Sequence, residues 1–164
     1  DESGYFEGIC SVYGNRDSHG DVVVAGAFSK TINERGPEVP ILAEHREAIG
    51  KGRVFDTATH LGITGRILLS VQRGRETLEL AKAGVVRGLS IGYSVIKDRW
   101  DPDRKVRQLL EIKLFEVSFV CFPSNPEALV TTAKRSPEAE RQAASSSEIA
   151  AALRELRRER FGRR

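Results

Sequence analysis

A serine hydroxyl becomes a nucleophile only when a neighbouring base takes its proton, and that base needs a third group to hold its tautomer. The sequence offers candidates for all three. In the stretch GLSIGY, residues 88–93, Ser90 stands between Gly88 and Gly92. Leu89, Ile91, Tyr93 and Val95 alternate with Ser90, Gly92 and Ser94, the period-two pattern of a strand with one apolar face. Glycine weakens a strand interior and is tolerated where another backbone or a ligand comes close, which makes the Ser90 hydroxyl reachable by a peptide. A small-residue strand packed under a helix has the same pattern. Of the three histidines, His19 lies in the turn-like RDSHGD and His60 in THLG. His45 alone follows directly on an apolar strand, VPILAEH, where a base is held rigidly. Glu116 interrupts the apolar run LFEVSFV, with Glu116 and Ser118 on one face and Val117 and Phe119 on the other. A carboxylate there is costly to bury unless it is paired; a surface-facing strand residue is the alternative.

Other chemistries find less support. A metal site built from His45, His60 and His19 with Asp17 or Asp21 matches no ligand spacing such as H-E-x-x-H or paired C-x-x-C. Neither G-x-x-x-x-G-K-[ST] nor G-x-G-x-x-G occurs, so nucleotide chemistry has no motif, and no cofactor is expected.

The elements that must position these residues are mostly strands. YFEGICSVYGN reads as a strand ending in the turn-rich GNRDSHGD, followed by the apolar run VVVAGAF. AFSKTINERG reads as a short helix with Gly36 and Pro37 beyond its end. RVFDTATHLGITGRILLS reads as a hairpin with THLG, and so His60, at its tip. RGRETLELAKAG reads as a helix with Leu78, Ala81 and Val85 at helical spacing and Gly84 as its cap. GLSIGYSVIKDRW and VRQLLEIKLFEVSFVCF are strands joined by the Pro-containing turn DPDRK, and PSNP stops the second. Many short strands with two helices suggest a closed or nearly closed barrel decorated by helices.

Composition bounds the rest. At 164 residues, 40% hydrophobic and 30% charged, the chain suits one soluble domain. No run approaches the ~20 apolar residues of a membrane helix. The start, Asp1-Glu2, lacks the basic and apolar regions of a secretory leader, and the absence of methionine marks the stretch as a trimmed piece of a longer product. Cys10 and Cys121 both sit in apolar strand-like runs, which reads as buried free thiols in a reducing compartment. The net charge of +3 belongs to residues 135–164, with eight arginines and five glutamates; the body is neutral and shows no nucleic-acid face. This divides the chain at 134/135. The tail is linker-like and ends in an amphipathic helix, with a capping box from Ser145 to Glu148 and an apolar line through Ile149, Leu153 and Leu156.

Five stretches carry a resemblance that covers residues 5–132. FEGICSVYGNRDSHGDVVVAGAF, VPILAEH, IGKG, QRGRETLELAKAGVVRGLSIGY and EIKLFEVSFVCFPSNPEALV, in this order, resemble the prohead serine protease family of tailed phages, the capsid maturation proteases. The resemblance implies an α+β, mainly β fold similar to the herpesvirus capsid protease, a β-barrel surrounded by a few helices. It implies Ser90 as nucleophile, His45 as catalytic histidine and Glu116 as third member. Gly88, Leu89, Ile91 and Gly92 would then line the substrate groove, with backbone N–H groups stabilising the oxyanion. The herpesvirus enzymes resemble a Ser-His-His arrangement, which keeps His60 as the alternative to Glu116. The implied substrates are the major capsid protein or scaffold and the protease itself, inside a procapsid in the host bacterial cytoplasm, with a homodimer compatible. A capsid- or scaffold-binding module without catalysis is the competing reading, and it needs no Ser90, His45 and Glu116 set. A metal-dependent hydrolase is a third.

Overall fold

The computed structural model describes residues 4–133. The described chain is mainly β with two helices, in the order β1 (Tyr5–Val12), β2 (Asp21–Val23), α1 (Ser29–Arg35), β3 (Glu38–Ala43), β4 (Glu47–Asp56), β5 (His60–Ile67), α2 (Gln72–Lys82), β6 (Gly88–Asp101), β7 (Val106–Val120) and β8 (Val130–Ala133). One sheet runs β2-β7-β3-β4-β5-β1-β8, and β6 lies along β7. The sheet curls on itself, because an isolated antiparallel bridge from Gly88 to Leu129 links β6 to the chain just before β8.

The 15-residue β7 organises the rest. It pairs in parallel with β2 through residues 107–109 and with β3 through residues 117–119, while β6 pairs antiparallel along its whole length. Inside the curl, Phe6, Phe119, Ile41, Ile49, Leu61, Ile63 and Leu89 are fully buried. The Phe6 and Phe119 rings meet edge to face, 4.7 Å between centroids, a geometry their quadrupoles favour.

Most expected elements form, with local differences. VVVAGAF gives a strand only as far as Val23. The chain then turns at Gly26 (φ +84), with Ala27 N–H donating to Val24 C=O. The tip of the β4–β5 hairpin is Thr57–Thr59, where the Thr57 hydroxyl accepts the His60 N–H at 3.0 Å. His60 is therefore the first residue of β5, not the tip. Gly84 (φ +74) does end α2, but Val85 beyond it is exposed and Val86 is buried in its place. The reversal at Gly84 sends Val85 outward, so helical spacing no longer applies. Cys10 is buried as expected, whereas Cys121 is exposed because β7 stops at Val120. Both thiols are free. Neither described helix is long and apolar enough to cross a membrane. The tail and its expected helix lie outside the described residues.

Burial pushes the Cys10 thiol pKa up, and the Glu116 charge adds to this. Folded protein should therefore take up one equivalent of maleimide, at Cys121, and a second, at Cys10, only in denaturant. Peptide mapping of the labelled protein checks this, and rapid native labelling of Cys10 would contradict it.

Candidate active site

The site is a row across three neighbouring strands. Ser118 of β7 faces Leu42 of β3 on one side and Ser90 of β6 on the other. Two residues along, Glu116 faces Gly92. Directly opposed residues of an antiparallel pair project to the same face, so Ser90, Glu116 and Ser118 share one.

His45 reaches this face from the β3–β4 turn, closed by Arg46 N–H donating to Ala43 C=O at 3.0 Å. Glu44 and His45 both adopt positive φ, +50 and +58. Left-handed backbone at non-glycine residues costs of order 1–3 kcal/mol each and persists only where surroundings fix it. Here they do. Glu44 N–H donates to Phe119 C=O at 2.9 Å, and the Glu44 carboxylate accepts the Cys121 N–H at 3.0 Å. His45 N–H donates to the Ser118 hydroxyl at 3.1 Å.

The side chains complete the lock. His45 Nδ1 lies 2.7 Å from Glu116 Oε1, and the Ser118 hydroxyl donates to Glu116 Oε2 at 2.7 Å. A carboxylate only accepts, so Nδ1 carries the hydrogen and neutral imidazole keeps Nε2 as its basic nitrogen. Glu116 is 12% exposed in its side chain and His45 42%, which holds the imidazole at a rim and the carboxylate beneath. Ser118, given no role from sequence, is fully buried and spends its hydroxyl on both partners.

The two glycines of GLSIGY make room for the protein's own groups. A Cβ at Gly92 would stand 2.2 Å from Glu116 Oε1, and one at Gly88 would stand 2.6 Å from Pro123 Cδ. The missing side chain at Gly92 is thus what lets the carboxylate lie across β6 towards His45.

Ser90 and His45 line one cleft of about 220 Å³, and the Ser90 hydroxyl makes no hydrogen bond among the described residues. Leu89, Ile91, Cys10 and Tyr93 border it too. Burial raises the Tyr93 pKa, reinforced by Asp17 and Asp21, so its hydroxyl stays protonated. Two clasped loops complete the lining. Ser18 N–H donates to Ser124 C=O at 2.9 Å, His19 Nε2 lies 3.2 Å from Ser124 Oγ, and Asn15 and Asn125 exchange side-chain hydrogen bonds. Asp17 Oδ1 accepts the N–H groups of His19 and Asp21, which shapes the first loop. His19, weighed from sequence among the candidate bases and as a metal ligand, and Asp17, weighed as a metal ligand, stand in the cleft wall; Ser124 and Asn125 had been read only as a strand stop. His60 is not among the cleft residues, and its ring bonds locally to Thr57 and Thr59. Among the described residues no three His, Cys, Asp or Glu side chains gather in a metal-holding group.

The model of the caudovirus prohead serine protease family matches residues 1–143. The chain belongs to that family. It is 27% identical over 139 residues to the prohead protease of Enterobacteria phage HK97, covering 81% of this chain and 61% of the phage protein. It is 28% identical over 138 residues to the prohead protease of Escherichia phage T5, covering 78% of this chain and 65% of that one. The chain thus spans under two thirds of the length of these curated relatives. A major capsid protein of Lactococcus phage c2 is 28% identical over 141 residues, 86% of this chain but 27% of the capsid protein. No solved structure matches.

Gly92→Ala should cost about 1–3 kcal/mol in urea unfolding by overpacking. In a Glu116→Ala background the same change should be nearly neutral, because the group it strikes is gone. Equal costs in both backgrounds would remove the steric account of Gly92.

Proposed function

We propose that this chain is a serine endopeptidase of procapsid maturation, with Ser90 as nucleophile, His45 as general base and Glu116 as the group that orients His45. The observation that carries the proposal is the 2.7 Å contact of His45 Nδ1 with Glu116, which leaves Nε2 as the basic nitrogen at the cleft that also holds Ser90. Ser90 Oγ attacks the scissile carbonyl as Nε2 takes its proton, and Glu116 balances the imidazolium that forms. The proton passes to the leaving amine, and water repeats the sequence on the acyl-enzyme. Membership of the prohead serine protease family supports this chemistry.

The proposed substrates are the major capsid protein or scaffold and this chain itself, inside the procapsid in the host bacterial cytoplasm. The similar segment within a major capsid protein of phage c2 supports a capsid-linked substrate. Residues 1–134 form the proposed peptidase domain, and 135–164 a basic tail for self-cleavage or capsid targeting. All three proposed catalytic side chains come from one chain, so a homodimer would add no catalytic group.

Co-expression with the major capsid protein of the same phage, wild type against Ser90→Ala, followed by intact-mass spectrometry of both chains, tests the reading. Discrete truncations should appear with wild type and vanish with Ser90→Ala. Processing by Ser90→Ala at the wild-type rate would falsify the mechanism, and intact chains in both samples favour a capsid-binding module. Glu116→Gln keeps the shape but withdraws the charge, and by analogy with other triads should lower kcat roughly 10³–10⁴-fold. Single-turnover assays on a peptide spanning the cleaved bond measure it.

A further inference from the structure

Ser118 stands directly opposite Ser90 across the β6–β7 ladder, and the two side chains share one face of the sheet. They differ in what they do with their hydroxyls. Ser118 gives its only hydroxyl hydrogen to Glu116 Oε2 at 2.7 Å and accepts the His45 N–H at 3.1 Å. It has no exposure to solvent, whereas Ser90 borders the cleft. A hydroxyl so enclosed and so spent is closed to a substrate carbonyl. Its place is beneath the reacting groups.

Three hydrogens and three acceptors close a ring there. The His45 N–H goes to Ser118 Oγ, the Ser118 O–H to Glu116 Oε2, and the His45 Nδ1–H to Glu116 Oε1. The gap at Gly92 admits the carboxylate but does not orient it. Among the described residues only His45 and Ser118 hydrogen-bond to it. Ser118 therefore does two things that Glu116 cannot do alone. It ties Oε2 to β7, so that Oε1 is the oxygen presented to the ring. It also ties the main chain of His45 to the same point, so that imidazole and carboxylate are aligned from one atom.

We infer that Ser118 is a positioning residue of the proposed peptidase, acting through Glu116 to hold His45 in its Nδ1–H form with Nε2 bare. The inference rests on the proposed roles of Ser90, His45 and Glu116 and adds a fourth residue that never touches the substrate. Without the hydroxyl, Oε2 loses its partner and the carboxylate is free to turn about its last torsion, which is broad and two-fold. The ring then has no fixed acceptor for its Nδ1 hydrogen. A neutral ring with the hydrogen on Nε2 cannot take the proton of Ser90.

The test uses full-chain variants in single-turnover and steady-state assays on a peptide spanning a capsid-protein bond that the wild-type protein cleaves. Ser118→Ala should lower kcat about 10- to 100-fold, the cost of a misplaced reacting group, and leave KM within about twofold. Nitrogen NMR of the labelled His45 ring should show one neutral form, Nδ1–H, in wild type and a mixture of both forms in Ser118→Ala. In a Glu116→Ala background, Ser118→Ala should lower the single-turnover rate by less than about twofold more, because the residue it acts through is gone. Ser118→Cys, a weak donor, stands in should Ser118→Ala not fold, with the same outcomes expected. A folded variant with wild-type kcat and a single ring form, or equal losses in both backgrounds, overturns the positioning role and leaves the peptidase standing. No Ser90-dependent cleavage of any peptide or of the capsid protein removes the peptidase reading and this role together.

Discussion

A half-sheltered carboxylate cannot be left alone, and Glu116 shows what is needed to keep one. One oxygen accepts from the His45 ring and the other from the Ser118 hydroxyl, which in turn accepts the His45 N–H. This closed loop of bonds ties the β3–β4 turn to the middle of β7. It also dictates the empty position at Gly92 on β6, the space the carboxylate occupies. Three strands are therefore committed to one another through a single ionisable group, and the bottom of the cleft is set by that commitment.

The turn that delivers His45 is held against its own preference. Two consecutive left-handed residues suit Asn-Gly, not Glu-His, and the strain is offset by four anchoring contacts to β7 and the residue after it. Local backbone preference and tertiary bonding disagree here, which is common where a side chain must be aimed. The arrangement makes the imidazole rigid without burying it.

How much of this could be read from residues varies by kind of interaction. Strand alternation placed Ser90 on β6 and picked out Glu116 as the odd carboxylate of β7, because a period of two is a local property. The end of an apolar run placed His45. The left-handed turn was not legible, since Glu-His carries no turn signal, and the tip at Thr57–Thr59 was displaced in the reading because it lacks Gly and Pro. Ser118 was invisible as a partner, for serine in a strand is ordinary until its hydroxyl is seen bonded twice. Gly92 was read as space for a ligand, whereas the space is filled from the neighbouring strand, a fact only pairing register reveals. The clasp of residues 13–21 with 124–127 joins segments about a hundred residues apart, beyond the reach of any local pattern.

The same long-range clasp gives the cleft a place in time. Its walls draw on residues near position 17 and on Ser124 and Asn125, and among the described residues the chain at 128–130 covers the edge of β6 at Leu89. A ribosome delivers these segments in order, so a nascent chain that already carries Ser90, His45 and Glu116 still lacks Ser124 and Asn125 of the cleft wall and the cover over Leu89. Assembly of the cleft is deferred until almost the whole described domain has left the exit tunnel, and the high sequence separation of its contacts slows the last closure further.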